Sequence, residues 1–174
     1  ILFLLLLTLP LCAQQRISDD EFRKMWAERA KIEAQRSEER RTRLMATLKA
    51  TNQPDTVKDL RLAKMNLTKI PRVVYRFKNL KNIDLSNNQI TRFPRRLTRK
   101  LDSLHTLTAS FNPIKKLKFS NNQHVKVLNM SSCGIRVWPI TITQNTALET
   151  LILAANEVTS IPDDIQKLSK LRVL

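Results

Sequence analysis

The sequence predicts an α/β solenoid, a coil of short stacked turns with a charged helix in front of it. Two observations lead there. From Val57 onward one segment recurs without gaps: VKDLRLAKMNLTKIP, LKNIDLSNNQITRFP, LHTLTASFNPIKKLK, VKVLNMSSCGIRVWP and LETLILAANEVTSIP. The copies begin at residues 57, 80, 104, 125 and 148, and a sixth begins at Leu171, so the steps are 23, 24, 21, 23 and 23. Self-similarity at a constant period of about 20–30 residues is produced by stacked supersecondary units, none of which can bury its apolar face alone. The second observation is the spacing within a copy, first strand-like and then helical.

The opening thirteen residues, ILFLLLLTLPLCA, form an apolar run broken by Pro10. A bilayer span needs roughly 20 residues, whereas this run has the length of a signal peptide's apolar region, with Ala13 before Gln14 as the cleavage point. An anchored segment is the competing reading, and bulky Leu11 disfavours lipid modification of Cys12. Cleavage leaves Cys133 as the lone thiol, so no internal disulfide would staple the chain. The expected location is secreted or in the cell envelope.

Residues 14–56 differ in composition from the repeats. In ISDDEFRKMW, Ser18 is placed as an N-cap, Glu21 closes a capping box, and Ile17 and Phe22 stand at staple positions. Gln35 to Arg43 is almost wholly polar, and apolar residues return at Leu44, Met45 and Leu48. The expectation is a solvated helix that docks at its ends and caps the first turn of the coil. A coiled-coil partner is the alternative, without a heptad sustained long enough to support it.

Residues 57–174 hold the repeats. In each copy the fourth and sixth places are apolar: Leu60 and Leu62, Ile83 and Leu85, Leu107 and Ala109, Leu128 and Met130, Leu151 and Leu153. Alternation of this kind belongs to a strand with one buried face. After the Pro, three copies step in near-threes (Val74, Phe77, Leu80; Leu97, Leu101, Leu104; Ile165, Leu168, Leu171), which suits a short helical or 3₁₀ return. PDDI at 162–165 puts Pro at a helix's first position. The chain has one glycine, which argues against a fold with many left-handed turns.

The pattern LxxLxLxxNxLxxLP resembles the leucine-rich repeat over residues 57–174. The resemblance implies a right-handed coil with a parallel sheet on its concave face and short convex returns. At the ninth place stand Asn88, Asn112 and Asn156, with Cys133 in the fourth copy and Met65 in the first. A carboxamide both donates and accepts, so it can pair backbone groups of adjacent turns that leave the sheet, and its loss should cost about 1–3 kcal/mol. Cys133 is read as a buried structural thiol rather than a reactive one.

Side chains at the third, fifth and seventh places would face away from the core: Asp59, Arg61 and Ala63; Asn82, Asp84 and Ser86; Thr106, Thr108 and Ser110; Val127, Asn129 and Ser131; Thr150, Ile152 and Ala154. A solvated face is the plain reading; the resemblance implies a groove for a protein or peptide, with a glycan also possible. Charge lies elsewhere. Net charge is +16, and residues 57–118 hold sixteen Lys or Arg against three Asp. Arg92, Arg95, Arg96, Arg99, Lys100, Lys115, Lys116 and Lys118 would form a basic rim, able to meet an anionic lipid surface or acidic polysaccharide. No groove-reading motif suggests nucleic acid.

His105 and His124 fall in separate copies, and no His, Cys or carboxylate cluster has metal-ligand spacing. No catalytic set, metal or cofactor is expected. Asn66 and Asn129 match the glycosylation sequon. The sequence thus suggests a non-catalytic binding scaffold outside the cytoplasm; the alternatives are an anionic-surface binder and the recognition arm of a larger enzyme. The sixth copy stops mid-strand at Leu174, so the natural protein is expected to continue.

Overall fold

A computed structural model describes residues 18–118 and 123–174. The apolar opening run, with Cys12, the Ala13 cleavage point and Ile17, lies outside the described residues. Helix α1 (Asp19–Ala50) begins with a reciprocal capping box: Glu21 N–H donates to Ser18 Oγ at 3.3 Å, and Ser18 N–H donates to Glu21 Oε2 at 3.0 Å. These bonds to Ser18 hold the Glu21 carboxyl below its ordinary pKa.

The chain forms two compact units, one ending at Gln35 and the other running Arg36–Leu174. In the first, Phe22, Met25, Trp26 and Ile32 are exposed, and the Phe22 and Trp26 rings meet edge to face at 5.9 Å between centroids. In the second, the last turns of α1 lay Leu44 and Met45 against the core and bury Leu48. Arg76 fastens that end. Its guanidinium donates to the carbonyls of Lys49 at 2.8 Å, Thr51 at 3.2 Å and Leu48 at 3.4 Å. Helix C-terminal carbonyls lack intrahelical partners and carry partial negative charge, so a cation suits them. No described helix is long and apolar enough to cross a membrane.

Each repeat contributes one strand to an inner parallel sheet: β1 (Asp59–Arg61), β2 (Asn82–Asp84), β4 (Thr106–Thr108), β6 (Val127–Asn129) and β7 (Thr150–Ile152). Register follows the repeat, with Leu60, Ile83, Leu107, Leu128 and Leu151 paired in sequence. An isolated bridge from Thr150 to Val173 carries the ladder into the sixth unit. The fourth- and sixth-place side chains are all buried except half-buried Leu153. Behind the sheet lie returns at Arg72–Arg76, Ile140–Gln144 and Asp163–Lys167, all 3₁₀, and a short helix α2 (Arg96–Lys100). Val74, Phe77, Leu80, Leu97, Leu101 and Leu104 point from them into the core at no more than 1% exposure. Pro162 stands one place before its helix, as N-cap, rather than inside it.

Two features depart from expectation. A second, outer parallel sheet pairs β3 (Arg92–Phe93) with β5 (Lys116–Leu117). The scarcity of glycine also misled, because the eighth residue of every unit is left-handed: Lys64, Asn87, Phe111, Ser132 and Ala155 have φ between +53° and +58°. Such backbone costs an L-residue roughly 1–2 kcal/mol. A bond between turns offsets it, since the amides of Lys64, Asn87, Phe111 and Ser132 each donate to the next unit's seventh-place carbonyl at 2.9–3.0 Å.

Candidate functional site

The inner sheet sets its outward side chains in rows, because parallel strands in register lie about 4.8 Å apart. One row runs Asp59, Asn82, Thr106, Val127, Thr150; the next runs Arg61, Asp84, Thr108, Asn129, Ile152. The first turns are polar and charged, and the last turn presents Ile152. Asn82 Nδ2 donates to Asp59 Oδ1 at 2.6 Å, and Ser86 N–H donates to Asp84 Oδ1 at 2.9 Å. A shallow concavity of about 280 Å³ is lined by Asp59, Arg61, Asn82, Asp84, Thr106 and Thr108.

Seventh-place residues are less available than the alternation implied. Ser110 is buried, and its hydroxyl donates to Asn129 Oδ1 at 2.9 Å. The same oxygen accepts Ser131 N–H at 3.0 Å and Ser131 Oγ–H at 2.7 Å. Ser110 is therefore withdrawn from the contact set: the small hydroxyl folds down onto its neighbour instead of reaching outward. Ser86 and Ser131 are half-buried, while Ala154 is exposed. Asn129, the second sequon residue, is half-buried and takes these three bonds on its Oδ1. Asn66 differs: it is exposed, in left-handed backbone at φ +50°.

At the ninth place the amides tie successive turns. Asn88 Oδ1 accepts Met65 N–H and Leu67 N–H at 3.0 Å each, while Nδ2 donates to Leu62 O and Leu85 O at 2.8 Å. Asn112 accepts Ile90 N–H at 3.0 Å and donates to Leu85 O and Ala109 O at 2.9 Å. Half-buried Asn156 accepts Cys133 N–H and Ile135 N–H at 3.0 Å and donates to Met130 O and Leu153 O at 2.8 Å. Cys133 lies beneath the surface, its thiol turned toward Ala109 O at 3.3 Å, and burial pushes its pKa up.

The basic residues lie on the outer side. Arg92 belongs to β3, Arg95 caps α2, Arg96, Arg99 and Lys100 lie within it, Lys116 belongs to β5, and Lys115 and Lys118 flank that strand. Arg96 is partly engaged, its guanidinium 4.9 Å from the Tyr75 ring centroid. Lys116 aside, no ion pair among the described residues involves a Lys or Arg of residues 57–118. His105 is half-buried with Nδ1 2.6 Å from Ser103 O, and His124 is exposed. No group of three potential metal ligands occurs among the described residues.

Sequence reasoning missed Asn145, which is fully buried at the place held by Phe77, Leu101 and Leu168 in other units. Its Nδ2 donates to Val125 O at 3.3 Å. The available signal was the fixed offset from each repeat start, overlooked because an amide interrupts the apolar steps.

Residues 55–114 match the family model for the leucine rich repeat. A leucine-rich-repeat protein of Leptospira interrogans superposes with TM-score 0.61 at 26% identity, covering 75% of this chain and 33% of its own. The chain thus spans about a third of that protein's length. TLR13, in its complex with ssRNA13, matches at TM-score 0.53 and 24% identity over 68% of this chain and 21% of its own. The leucine-rich-repeat domain of the type III effector XopL matches at 0.50 and 17%, over 77% and 56%. The last two likenesses concern fold alone. The matched residues 55–114 carry leucine-rich repeats, and the same in-register strand continues through five turns to Ile152.

Proposed function

We propose that the chain is a non-catalytic scaffold that presents its inner sheet to a protein or peptide partner outside the cytoplasm. The observation that carries the reading is the pair of in-register rows above the 280 Å³ concavity, where one extended partner can meet several turns at once. Rows of short, exposed or half-exposed polar side chains offer hydrogen bonds at little entropic cost. The location rests on the apolar opening run. Thr108→Trp should abolish capture of the inner-face partner in a pull-down with the thermal melt unchanged, and Asn129→Trp should abolish it with a lowered melt, because Ser110 and Ser131 lose their acceptor. Undiminished capture by both variants would remove the inner face from the account.

An anionic surface is the second reading, favoured by the cations of residues 57–118, which, Lys116 aside, have no ion-pair partner among the described residues. Reversing Arg95, Arg96, Arg99 and Lys100 to Glu should abolish heparin retention at moderate salt, and unchanged retention would dispose of it.

A further inference from the structure

The inner sheet crosses all five complete repeats, but the outer sheet stops after β5. One residue type removes a bond that the ladder would need to go on. In the third unit Lys115 N–H donates to Thr91 O at 2.9 Å and Lys118 N–H to Phe93 O at 3.2 Å, fixing β5 on β3. In the fourth unit the residue equivalent to Lys118 is Pro139, which has no N–H to give. No backbone hydrogen bond joins residues 136–138 to β5 among the described residues, and Leu117 O instead accepts the Thr141 hydroxyl at 3.2 Å. The two turns consequently part on their outer side.

The opening is a groove of about 500 Å³ with walls of Pro113, Ile114, Leu117, Ile135, Val137 and Pro139. Cys133 lines it too, a smaller side chain than the asparagine of other turns. Val137 is 80% exposed although β-branched and apolar. Lys115 and Arg136 also border the opening. One carboxylate lies in the lining, Glu157, and it is bonded to Arg136 Nε at 3.0 Å. Lys115 belongs to the cation-rich segment 57–118, whose Lys and Arg residues, Lys116 aside, have no ion-pair partner among the described residues.

We propose that this outer groove docks an extended acidic peptide segment that sets an apolar side chain between its walls, with its carboxylates toward Lys115 and the neighbouring cations. The edge of β5 suits an extended chain, as in strand addition to an exposed edge. Charge selects an acidic segment, and the apolar walls select a peptide over a polysaccharide, which has no side chain to seat there. The site is separate from the inner face and does not depend on the reading given for it.

The test uses the whole chain and three short fluorescein-labelled peptides: Glu alternating with Ile and Val, Glu alternating with Ser, and Lys alternating with Ile and Val. In fluorescence anisotropy the first is expected to bind at least about tenfold tighter than the other two. Val137→Ser and Lys115→Glu, both at exposed positions, should each weaken it by about tenfold through lost apolar burial and lost charge respectively. Thr108→Trp on the inner face should leave it unchanged, and circular-dichroism melts should match for all variants. Equal binding of the Ser-containing peptide would mean a surface that reads charge alone. Loss on Thr108→Trp would move the peptide to the inner face. Either result, insensitivity to both groove variants, or no binding of the first peptide overturns the proposal.

Discussion

Asn88 and Cys133 occupy the same place in two turns of the coil and meet the same need unequally. Asn88 closes four buried backbone groups, two amides through its oxygen and two carbonyls through its nitrogen, and that nitrogen also reaches Ser86 O at 3.2 Å. Cys133 turns its thiol to two carbonyls, Ala109 O at 3.3 Å and Ser131 O at 3.5 Å, and sulfur is a weaker acceptor than a carboxamide oxygen for the amides. Of the two amides that an asparagine there would have received, those of Asn112 and Ile114, the second turns to Asn112 O at 2.8 Å and Cys133 O at 3.2 Å. Pro113 beside it has no N–H to place. The turn with the weaker tie is also the one beside which the outer sheet ends and the groove opens. Regularity in this coil is therefore local: each rung depends on its own side chain, and a substitution changes the backbone of the preceding turn.

The largest test of that contrast is Asn88→Leu. It strands the amides of Met65 and Leu67 and the carbonyls of Leu62 and Leu85 beneath the surface, so stability should fall by about 3 kcal/mol or more. Urea unfolding followed by circular dichroism measures it, and a loss under about 1 kcal/mol would mean that the rung is dispensable. Asn156→Leu removes the same four kinds of bond, but Asn156 is half-buried. Water can reach the freed groups, and the expected loss is smaller, about 1–2 kcal/mol. Equal losses at the two sites would show that burial does not set the scale.

Legibility in the sequence divides the same way, between side chain and backbone. Inward Ile83 and Leu85 were legible because burial selects apolar side chains every second residue. Asn88 was legible because a polar side chain between Leu85 and Ile90 demands a reason. The left-handed eighth places were not. Lys64, Asn87, Phe111, Ser132 and Ala155 share no chemistry, and in the first four the conformation goes with a bond to the next turn's carbonyl rather than with residue type. The tenth residues show the same rule: Asn66 and Gly134 are left-handed, each before a turn whose asparagine oxygen collects two amides. Of the inner face, the positions were readable from alternation, but the fate of Ser110 depended on Asn129 in the adjacent strand. The outer groove needed knowledge that Pro139 faces Leu117, a pairing across 22 residues that local pattern does not contain.

A gain of function at the weak rung is a smaller and more discriminating test. Cys133→Asn supplies the missing acceptor to the turn before it, and the expected gain is about 1 kcal/mol, one net hydrogen bond. No gain would mean that Ile114 N–H is already satisfied by its two carbonyls.

Cys133 itself gives the smallest effect and a sign that can be checked. Burial raises its pKa in the folded chain, against the hydrogen bonds that pull the other way. The unfolded chain, with the thiol near its ordinary pKa of about 8.5, ionises first as pH rises. The buried neutral thiol thus favours the folded state fully below that pH, and the contribution is lost as pH climbs from there through the raised folded value. Cys133→Ala should flatten this decline between about pH 8 and 9.5, below the range where the lysines titrate. In the native chain a thiol reagent should label Cys133 only as fast as the turn opens, and Asn156→Leu, which frees the amide of Cys133, should speed the labelling. Rapid labelling of Cys133 in a Cys12→Ser chain would mean that the thiol is not held under the turn, and the contrast with Asn88 would then rest on the hydrogen bonds alone.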